Sequence, residues 1–157
     1  MPRRRDGEAA GRRVRVRGEL SGIREERITD SFRKSLLCVK AAAAKKASDL
    51  LLLEMKRIAS FTDYFLLCSG KSDRQVQAIA QAIEEELERK AIRPLGLEGK
   101  TEGRWILMDY GDVVVHIFLE PIRAFYDLEG LWIDAPRVEL EKGEEIGQES
   151  LGSEEGT

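Results

Sequence analysis

The sequence predicts an α/β domain: a mixed β-sheet of about five strands flanked by helices. Segments with apolar residues at helical spacing alternate with short, continuous apolar runs, which is the pattern of helices packed on a sheet. One apolar run is followed by a helix and then by another extended segment, and such a βαβ unit implies a parallel strand pair. Two longer β-like segments flank Gly111-Asp112, which adds an antiparallel hairpin and makes the sheet mixed.

Length and charge divide the chain into one domain and two tails. At about 100–200 residues per domain, 157 residues allow a single domain. Residues 1–34 contain 11 Lys and Arg against 6 Asp and Glu, whereas residues 135–157 contain 2 against 7. Both ends are poor in large apolar side chains, so burial cannot offset the entropy cost of ordering them. We therefore expect a disordered basic arm over residues 1–29, a domain over 30–135 and a disordered acidic tail over 136–157.

Composition argues against several classes of protein. The apolar stretches fall far short of the roughly 18 residues that a membrane-spanning helix needs, and no apolar run follows the N-terminal arginines as a secretory signal requires. Acidic residues are interspersed with those arginines, unlike in an organellar transit peptide, so we expect a cytoplasmic protein, with an organelle matrix as the alternative. Cys38 and Cys68 lie far apart without a CxxC pair, so neither a disulfide scaffold nor a zinc site is expected.

The first part of the domain predicts one helix and two buried strands. Apolar residues recur at steps of three and four and predict a helix that ends near Ser48. The apolar stripe of this helix consists of Phe32, Leu36, Val39, Ala43 and Ala47. The apolar runs 50–53 and 64–68 are typical of central strands, because they are too short for further helices.

The clearest helix follows the second strand. Ser72 and Gln75 match the S-x-x-Q capping box, and apolar residues continue at helical spacing. These residues are Val76, Ile79, Ala80, Ile83 and Leu87. The helix ends before Pro94, because a residue that precedes proline is biased away from the helical region. The extended segment 95–97 then completes the βαβ unit.

A two-residue turn at Gly111-Asp112 sets the register of the predicted hairpin. Counting outward gives the facing pairs Tyr110–Val113, Asp109–Val114, Leu107–His116 and Trp105–Phe118. One face is apolar and is expected to lie under the helices: Ile106, Met108, Tyr110, Val113, Val115 and Ile117. The other face mixes aromatic side chains with a carboxylate and an imidazole: Trp105, Leu107, Asp109, Val114, His116 and Phe118.

A final helix is predicted after the hairpin. Pro121 suits its first turn, where a missing N–H costs nothing. The expected buried stripe is Ile122, Phe125, Leu128 and Trp132. Gly130 lies inside this helix at a cost of about 1 kcal/mol relative to alanine, and the sequence offers no reason for it.

The second face of the hairpin has two interpretations, and catalysis has little support in either. The face is an ordinary second core layer, or it is a protein-binding surface, since Trp with a few oriented polar groups is typical of binding hot spots.

His116 is the only histidine and has no nucleophile beside it, which favours a structural or interface role. A nucleotidyltransferase needs clustered carboxylates for two metal ions. The nearest pair, Asp109 and Asp112, is separated by the tight turn, and turn formation explains Asp112 more simply.

Five motifs occur in order along the domain. They are Thr62-Asp63-Tyr64-Phe65, Ser72-x-Arg74-Gln75-Val76, Glu102-Gly103-Arg104-Trp105, Asp109-Tyr110-Gly111-Asp112-Val113-Val114-Val115-His116 and Phe125-Tyr126-x-Leu128-Glu129-x-Leu131-Trp132. In this order and spacing the chain resembles the ribosomal silencing factor family, also called RsfS, Iojap or YbeB. The resemblance covers residues 32–135, and Gly130 departs from the charged residue that the family pattern leads us to expect.

The resemblance implies a fold similar to nucleotidyltransferases but without their catalytic acids. It also implies a protein that is not an enzyme, with no cofactor or metal. Such a protein binds large-subunit ribosomal protein fourteen on the 50S subunit, sterically blocks joining of the small subunit and so represses translation. A homodimer away from the ribosome is a further implication. The alternative function is a divergent nucleotidyltransferase-like enzyme.

A set of partner-binding residues follows from the hairpin register together with the resemblance. It comprises Arg104, Trp105, Asp109, His116, Phe118, Tyr126 and Glu129. Trp105 is the expected anchor on an open hairpin face, with Asp109 accepting a hydrogen bond from a basic partner group. The mildly acidic domain suits a basic ribosomal protein. For the basic arm, residues 1–29, two interpretations stay open: it contacts nearby rRNA once the domain has docked, or it is a disordered tail without a binding role.

Overall fold

The computed structural model describes residues 30–140. In chain order the elements are α1 (Asp30–Ala44), β1 (Ser48–Glu54), β2 (Tyr64–Gly70), α2 (Asp73–Glu88), β3 (Gly96–Glu98), β4 (Trp105–Asp109), β5 (Val113–Leu119), α3 (Glu120–Tyr126), α4 (Leu128–Leu131) and β6 (Arg137–Val138). The strands form one six-stranded sheet in the order β3-β4-β5-β2-β1-β6. β2 and β5 pair in parallel and the other neighbours pair antiparallel. The predicted α/β class with a mixed sheet is therefore confirmed, with one strand more than expected.

The hairpin of β4 and β5 forms with the predicted register. The strands pair through Trp105–Phe118, Leu107–His116 and Asp109–Val114. Gly111 has a φ of +87°, a conformation that glycine adopts without steric cost, and its N–H donates to Asp109 Oδ1 at 2.8 Å. The conformation of the Gly111 turn and its hydrogen bond to Asp109 are therefore consistent with the register in which β4 and β5 pair.

Each face of the sheet has its own helices and its own core. α1 and α2 cover the face that holds the larger core, and the predicted apolar side of the hairpin belongs to it. These buried hairpin residues are Ile106, Met108, Tyr110, Val113, Val115 and Ile117. On the opposite face, α3 and α4 lie over a smaller core that includes Phe65, Leu67 and Phe118.

The buried stripe of α1 differs from the predicted one. Small side chains face the core: Ser31, Ser35, Cys38, Ala41 and Ala42. The predicted stripe is only half-buried: Phe32, Leu36, Val39, Ala43 and Ala47. Small side chains let the helix backbone approach α2 and the sheet, and the buried Ser35 hydroxyl donates to Phe32 O at 2.7 Å, so it is satisfied. The sequence analysis counted only the spacing of apolar residues, so it selected the half-buried stripe beside the truly buried one.

The predicted capping of α2 is confirmed. Ser72 Oγ accepts from Gln75 N at 3.1 Å, and Gln75 Oε1 accepts from Lys71 N at 2.7 Å. The predicted apolar face is buried: Val76, Ile79, Ala80, Ile83 and Leu87. Gln75 Nε2 also donates to the carbonyls of Lys45 and Lys46. Lys46 has a φ of +61°, a left-handed conformation that prevents α1 from reaching Ser48 as predicted.

The crossover after β2 leads to the edge of the sheet. α2 connects β2 to β3, but the parallel neighbour of β2 is β5, with Leu66 opposite Val115. The predicted pairing of segments 64–68 and 95–97 is therefore wrong, because β3 pairs antiparallel with β4 at the sheet edge. The sheet does contain one parallel pair, but β2 forms it with β5.

β6 extends the domain beyond the predicted boundary at residue 135. Val138 pairs with Leu52 and Arg137 pairs with Leu53 on β1. A two-residue strand is too short to produce an alternating pattern, so the sequence did not reveal it.

The predicted tails lie largely outside the described residues. This applies to the basic arm, residues 1–29, and to residues 141–157 of the acidic tail. Within the described part of the chain, no helix is long and apolar enough to cross a membrane.

Candidate docking surface on the second sheet face

The second face of the hairpin carries a connected cluster of rings. The Trp105 ring centroid lies 4.8 Å from that of Phe118 and 4.8 Å from that of Tyr126, and His116 lies 4.9 Å from Phe65. Phe118 and His116 are buried, Trp105 is half-buried and Tyr126 is exposed. The second-core-layer interpretation is therefore correct for Phe118 and His116. The expectation of an open face there is wrong, because α3 and α4 lie over this side of the sheet.

His116 is neutral inside this cluster. Trp105 Nε1–H donates to His116 Nδ1 at 3.2 Å, which leaves the ring proton on Nε2. Nε2 is buried and has no hydrogen-bond partner among residues 30–140. Burial lowers the pKa of His116 from 6.5 to about 4, because desolvation disfavours the imidazolium. This buried, neutral imidazole holds the Trp105 ring through the hydrogen bond. Because it is buried, it is not placed to contact a partner.

The predicted final helix is interrupted at Asp127, which separates α3 from α4. Asp127 has a φ of +46°, a left-handed conformation that aspartate tolerates better than most residues. Its N–H donates to Arg123 O at 2.8 Å, and its carboxylate accepts from Gly130 N at 3.2 Å. A Cβ at Gly130 would overlap this carboxylate. The glycine that the sequence left unexplained therefore makes room for the cap of α4.

A buried arginine joins α3 and α4 to the sheet. Arg123 Nε donates to Glu129 Oε2 at 3.0 Å, while Nη1 donates to Asp49 O at 2.7 Å and Ser69 Oγ at 2.9 Å. Glu129, expected to bind a partner, is thus engaged within the domain, and its Oε1 is buried without a partner among the described residues. Sequence reasoning missed Arg123, because the sheet residues that it contacts lie 54 and 74 positions away.

The outer side of α3 and α4 exposes large apolar side chains. We define the cap surface by the exposed apolar residues of this region: Phe61, Phe125, Tyr126, Leu131 and Ile133. Phe125 is 79% exposed, so its expected burial is wrong. It follows the buried Arg123 by two residues, about 200° around the helix, and therefore points away from the sheet. Phe61 reaches this region through Trp132, with 6.5 Å between the ring centroids.

Acidic side chains border the cap surface. Residues 119–135 contain four acidic residues and one basic residue. The basic residue is Arg123, which is buried and paired with Glu129. The remaining acids are exposed: Glu120, Asp127 and Asp134. The exposed charged side chains that α3, α4 and their flanking residues contribute between residues 119 and 135 are therefore all acidic.

The other predicted site residues on the hairpin have separate environments. Arg104 is exposed beside the start of α3, where its carbonyl accepts from Leu119 N at 2.8 Å. Asp109 is half-buried and holds the Gly111 turn, and Asp112 pairs with Lys34 Nζ at 2.8 Å. Across residues 30–140, no group of three or more His, Cys, Asp or Glu side chains is arranged to hold a metal ion.

Known proteins resemble this chain over most of the described residues. A family model described as "Ribosomal silencing factor during starvation" matches residues 29–156. The chain belongs to this family. The ribosomal silencing factor RsfS of Bacillus subtilis is 48% identical over 112 residues, which are 70% of this chain and 95% of that protein.

Two solved structures share the fold of this ribosomal silencing factor domain. A crystal structure from Bacillus halodurans has a TM-score of 0.62 and 44% identity, and the match covers 69% of this chain and 98% of that one. A crystal structure from Chromobacterium violaceum has a TM-score of 0.65 and 34% identity, covering 66% of this chain and 87% of that one.

Family membership confirms the resemblance drawn from the five motifs. The fold brings two motif residues, Trp105 and Tyr126, into ring contact although they lie 21 positions apart in the sequence. Phe61 and Ile133 lie outside the motifs, and no local pattern marks them as exposed. The silencing-factor motifs therefore located the region of the cap surface but not its full extent.

Proposed function

We propose that this silencing-factor domain represses translation by binding the large ribosomal subunit through large-subunit protein fourteen and sterically blocking the small subunit. The observation that carries the proposal is the cap surface, where exposed apolar side chains lie beside half-buried Trp105 and are bordered by acids. Exposed apolar patches of this kind mark interaction sites on soluble domains. Membership in a family described by ribosomal silencing supplies the class of partner.

The chemistry of the cap surface suits a basic protein better than bare RNA. Aromatic and aliphatic side chains supply the apolar centre that protein interfaces require. Glu120, Asp127 and Asp134 attract a basic ribosomal protein and repel RNA phosphates. Asp109 and Asp112 both have structural partners, so we assign this face to binding rather than to nucleotide transfer.

The predicted site residues divide into contacting and supporting groups in this proposal. Trp105 and Tyr126 form the anchor, because Trp and Tyr dominate binding energy when they bury a face against a partner. Arg104 precedes Trp105 at the margin of this anchor, whereas Asp109 lies at the other end of β4 and holds the Gly111 turn. The buried or engaged residues act by holding the anchor and the helices in place: His116, Phe118 and Glu129.

Co-sedimentation with separated 50S and 30S subunits tests the proposal. We expect the protein to sediment with 50S subunits alone and to lower the fraction of 70S particles when both subunits are mixed. Equal binding to both subunits would contradict the proposed mechanism.

A matched pair of variants tests the surface itself. Phe125→Ser removes an apolar side chain from the cap surface, and Leu95→Ser removes one that is 77% exposed next to the edge strand β3. Loss of a hot-spot side chain costs about 2 kcal/mol, so Phe125→Ser should weaken 50S binding about thirtyfold while Leu95→Ser leaves it unchanged. Equal affinities for both variants would place the binding site elsewhere on the domain.

A further inference from the structure

Four exposed cations lie where α1 ends and α2 begins, and the proposed function does not use them. We call them the helix-end patch: Lys45, Lys46, Lys71 and Arg74. Gln75 joins the two helix ends, because its Nε2 donates to Lys45 O at 3.2 Å and to Lys46 O at 3.1 Å. Its Oε1 accepts from Lys71 N at 2.7 Å, and Arg74 precedes it in the first turn of α2. The fold therefore gathers four positively charged residues around one glutamine.

Stability of the fold accounts for only half of the helix-end patch. Lys45 and Lys46 follow the C-terminal end of α1, where the helix dipole favours positive charge. Lys71 and Arg74 flank the N-cap residue of α2, where the dipole disfavours positive charge. Within residues 30–140, none of the four forms an ion pair. The fold therefore holds like charges close together, and a bound anion would relieve their repulsion.

The acidic residues near this end of the sheet lie to the sides of the helix-end patch. The exposed ones are Asp49, Asp73, Glu102 and Glu120. A Cβ at Gly103 would approach Asp73 Cβ to 3.0 Å, so Asp73 lies against the β3–β4 loop that also contains Glu102. Glu120 begins α3 on the opposite face of the sheet, and the Asp49 carbonyl accepts a hydrogen bond from that helix. The acids therefore border the patch toward β4 and α3, and the outer surface of the two helix ends remains positive.

The composition of the helix-end patch favours phosphate over a protein partner. The large apolar side chains that the described residues expose all belong to other segments of the fold. The patch therefore lacks the apolar centre of a protein interface, and it has no aromatic ring on which a nucleotide base can stack. Lysine and arginine side chains in such a setting bind the phosphates of a nucleic-acid backbone without reading its sequence.

The helix-end patch and the cap surface meet around one end of the sheet. β2 and β5 are parallel, and Gly70 at the end of β2 pairs with Leu119 at the end of β5. α2 follows β2 on one face of the sheet, and α3 follows β5 on the other. Arg104, which precedes the anchor Trp105, lies at this same end, where its carbonyl accepts from Leu119 N at 2.8 Å. A nucleic-acid backbone that crosses this sheet end can therefore contact the patch while the cap surface holds a protein.

We propose that the helix-end patch binds backbone phosphates of ribosomal RNA in the large subunit. The choice of ribosomal RNA rests on the proposed function, whereas the phosphate chemistry rests on the patch itself. The cap surface supplies specificity for a protein, and the patch adds affinity that depends on salt concentration. The described domain makes this contact with its own helices, separately from any contact of the basic arm.

The salt dependence of 50S binding by the full-length chain tests the proposal with charge-matched variants. K45Q/K71Q/R74Q removes three charges from the patch, and R89Q/K90Q/R93Q removes three exposed charges at the other end of α2. Three lost phosphate contacts reduce the salt slope by about 2–3, so raising the salt from about 50 to 200 mM should weaken the patch variant about 20- to 40-fold less than the wild type. The control variant should keep the wild-type slope. An unchanged slope in the patch variant, or equal changes in both variants, would overturn the proposal.

The same measurement separates this proposal from the proposed function. The basic arm is identical in all these proteins, so its contribution to the slope cancels in the comparison. A reduced slope in the patch variant together with wild-type binding by Phe125→Ser would support the patch and reject the cap surface. Weak binding by Phe125→Ser together with an unchanged slope in the patch variant would do the reverse.

A photoreactive label beside the helix-end patch identifies what it contacts on the 50S subunit. Cys38 and Cys68 are buried with thiol pKa values raised to about 12, so an exposed new cysteine is the reactive one in the folded domain. Ala44→Cys places the label next to the patch without removing a cation, and Lys90→Cys places it at the other end of α2. We expect crosslinks to ribosomal RNA from the first position and none from the second. Crosslinks from the first position to ribosomal proteins alone would assign the patch to an acidic protein and overturn the proposal.

Discussion

The indole N–H of Trp105 donates to Nδ1 of His116 across 3.2 Å, from the margin of the second sheet face into its core. The bond makes the position of a half-exposed ring depend on a buried neutral imidazole. A proton on Nδ1 would remove the acceptor, so the arrangement of Trp105 depends on His116 remaining unprotonated.

Stability should fall as the pH drops through the range in which His116 titrates. The pKa of His116 is about 4 in the folded chain and 6.5 for an exposed imidazole. Between these values the unfolded chain binds a proton that the folded chain excludes, so acid favours unfolding. The loss begins near pH 6.5, is complete near pH 4 and amounts to about 3 kcal/mol for this group. Urea unfolding at several pH values measures it.

The variant His116→Phe is the control for this pH dependence, because carboxylates also titrate toward pH 4. It keeps a ring between Phe65 and Phe118 and removes the titrating group. The difference between wild type and variant should therefore change with pH only between about 4 and 6.5. A constant difference across this range would show that His116 is not buried as described.

Gly130→Ala should destabilise the domain by about 1–2 kcal/mol, although the same change inside an ordinary helix is stabilising. The new Cβ would overlap the Asp127 carboxylate and displace the cap of α4. Asp127→Gly removes that carboxylate and still permits the left-handed backbone. In the Asp127→Gly background, Gly130→Ala should therefore lose its penalty, and thermal unfolding of the four proteins measures this coupling.

Local signals explain which parts of the fold were predictable. The hairpin register followed from a two-residue turn, and α2 followed from a capping box and a regular apolar stripe. The stripe of α1 was misassigned because close packing there favours Ser35 and Cys38, which periodicity scores poorly. The interruption at Asp127 depends on a left-handed backbone and a side-chain cap that resemble an ordinary helical segment in sequence.

The candidate site was predictable only where its residues lie in motifs. Trp105 and Tyr126 were both selected, and the structure brings them together. Phe118 and His116 share a strand face with Trp105, but the sequence contains no information on which part of that face α3 and α4 cover. Phe61 joins the cap surface by its ring contact with Trp132, which lies 71 positions later in the sequence. Local sequence patterns do not encode such a contact.

Arg123→Met should destabilise the domain by about 3–5 kcal/mol, because it leaves the half-buried Glu129 carboxylate without its partner. It also removes the donors to Asp49 O and Ser69 Oγ. The double variant Arg123→Met, Glu129→Met removes both charges and should recover part of the loss. Chemical unfolding of the single and double variants measures the coupling, and purely additive effects would contradict the ion pair.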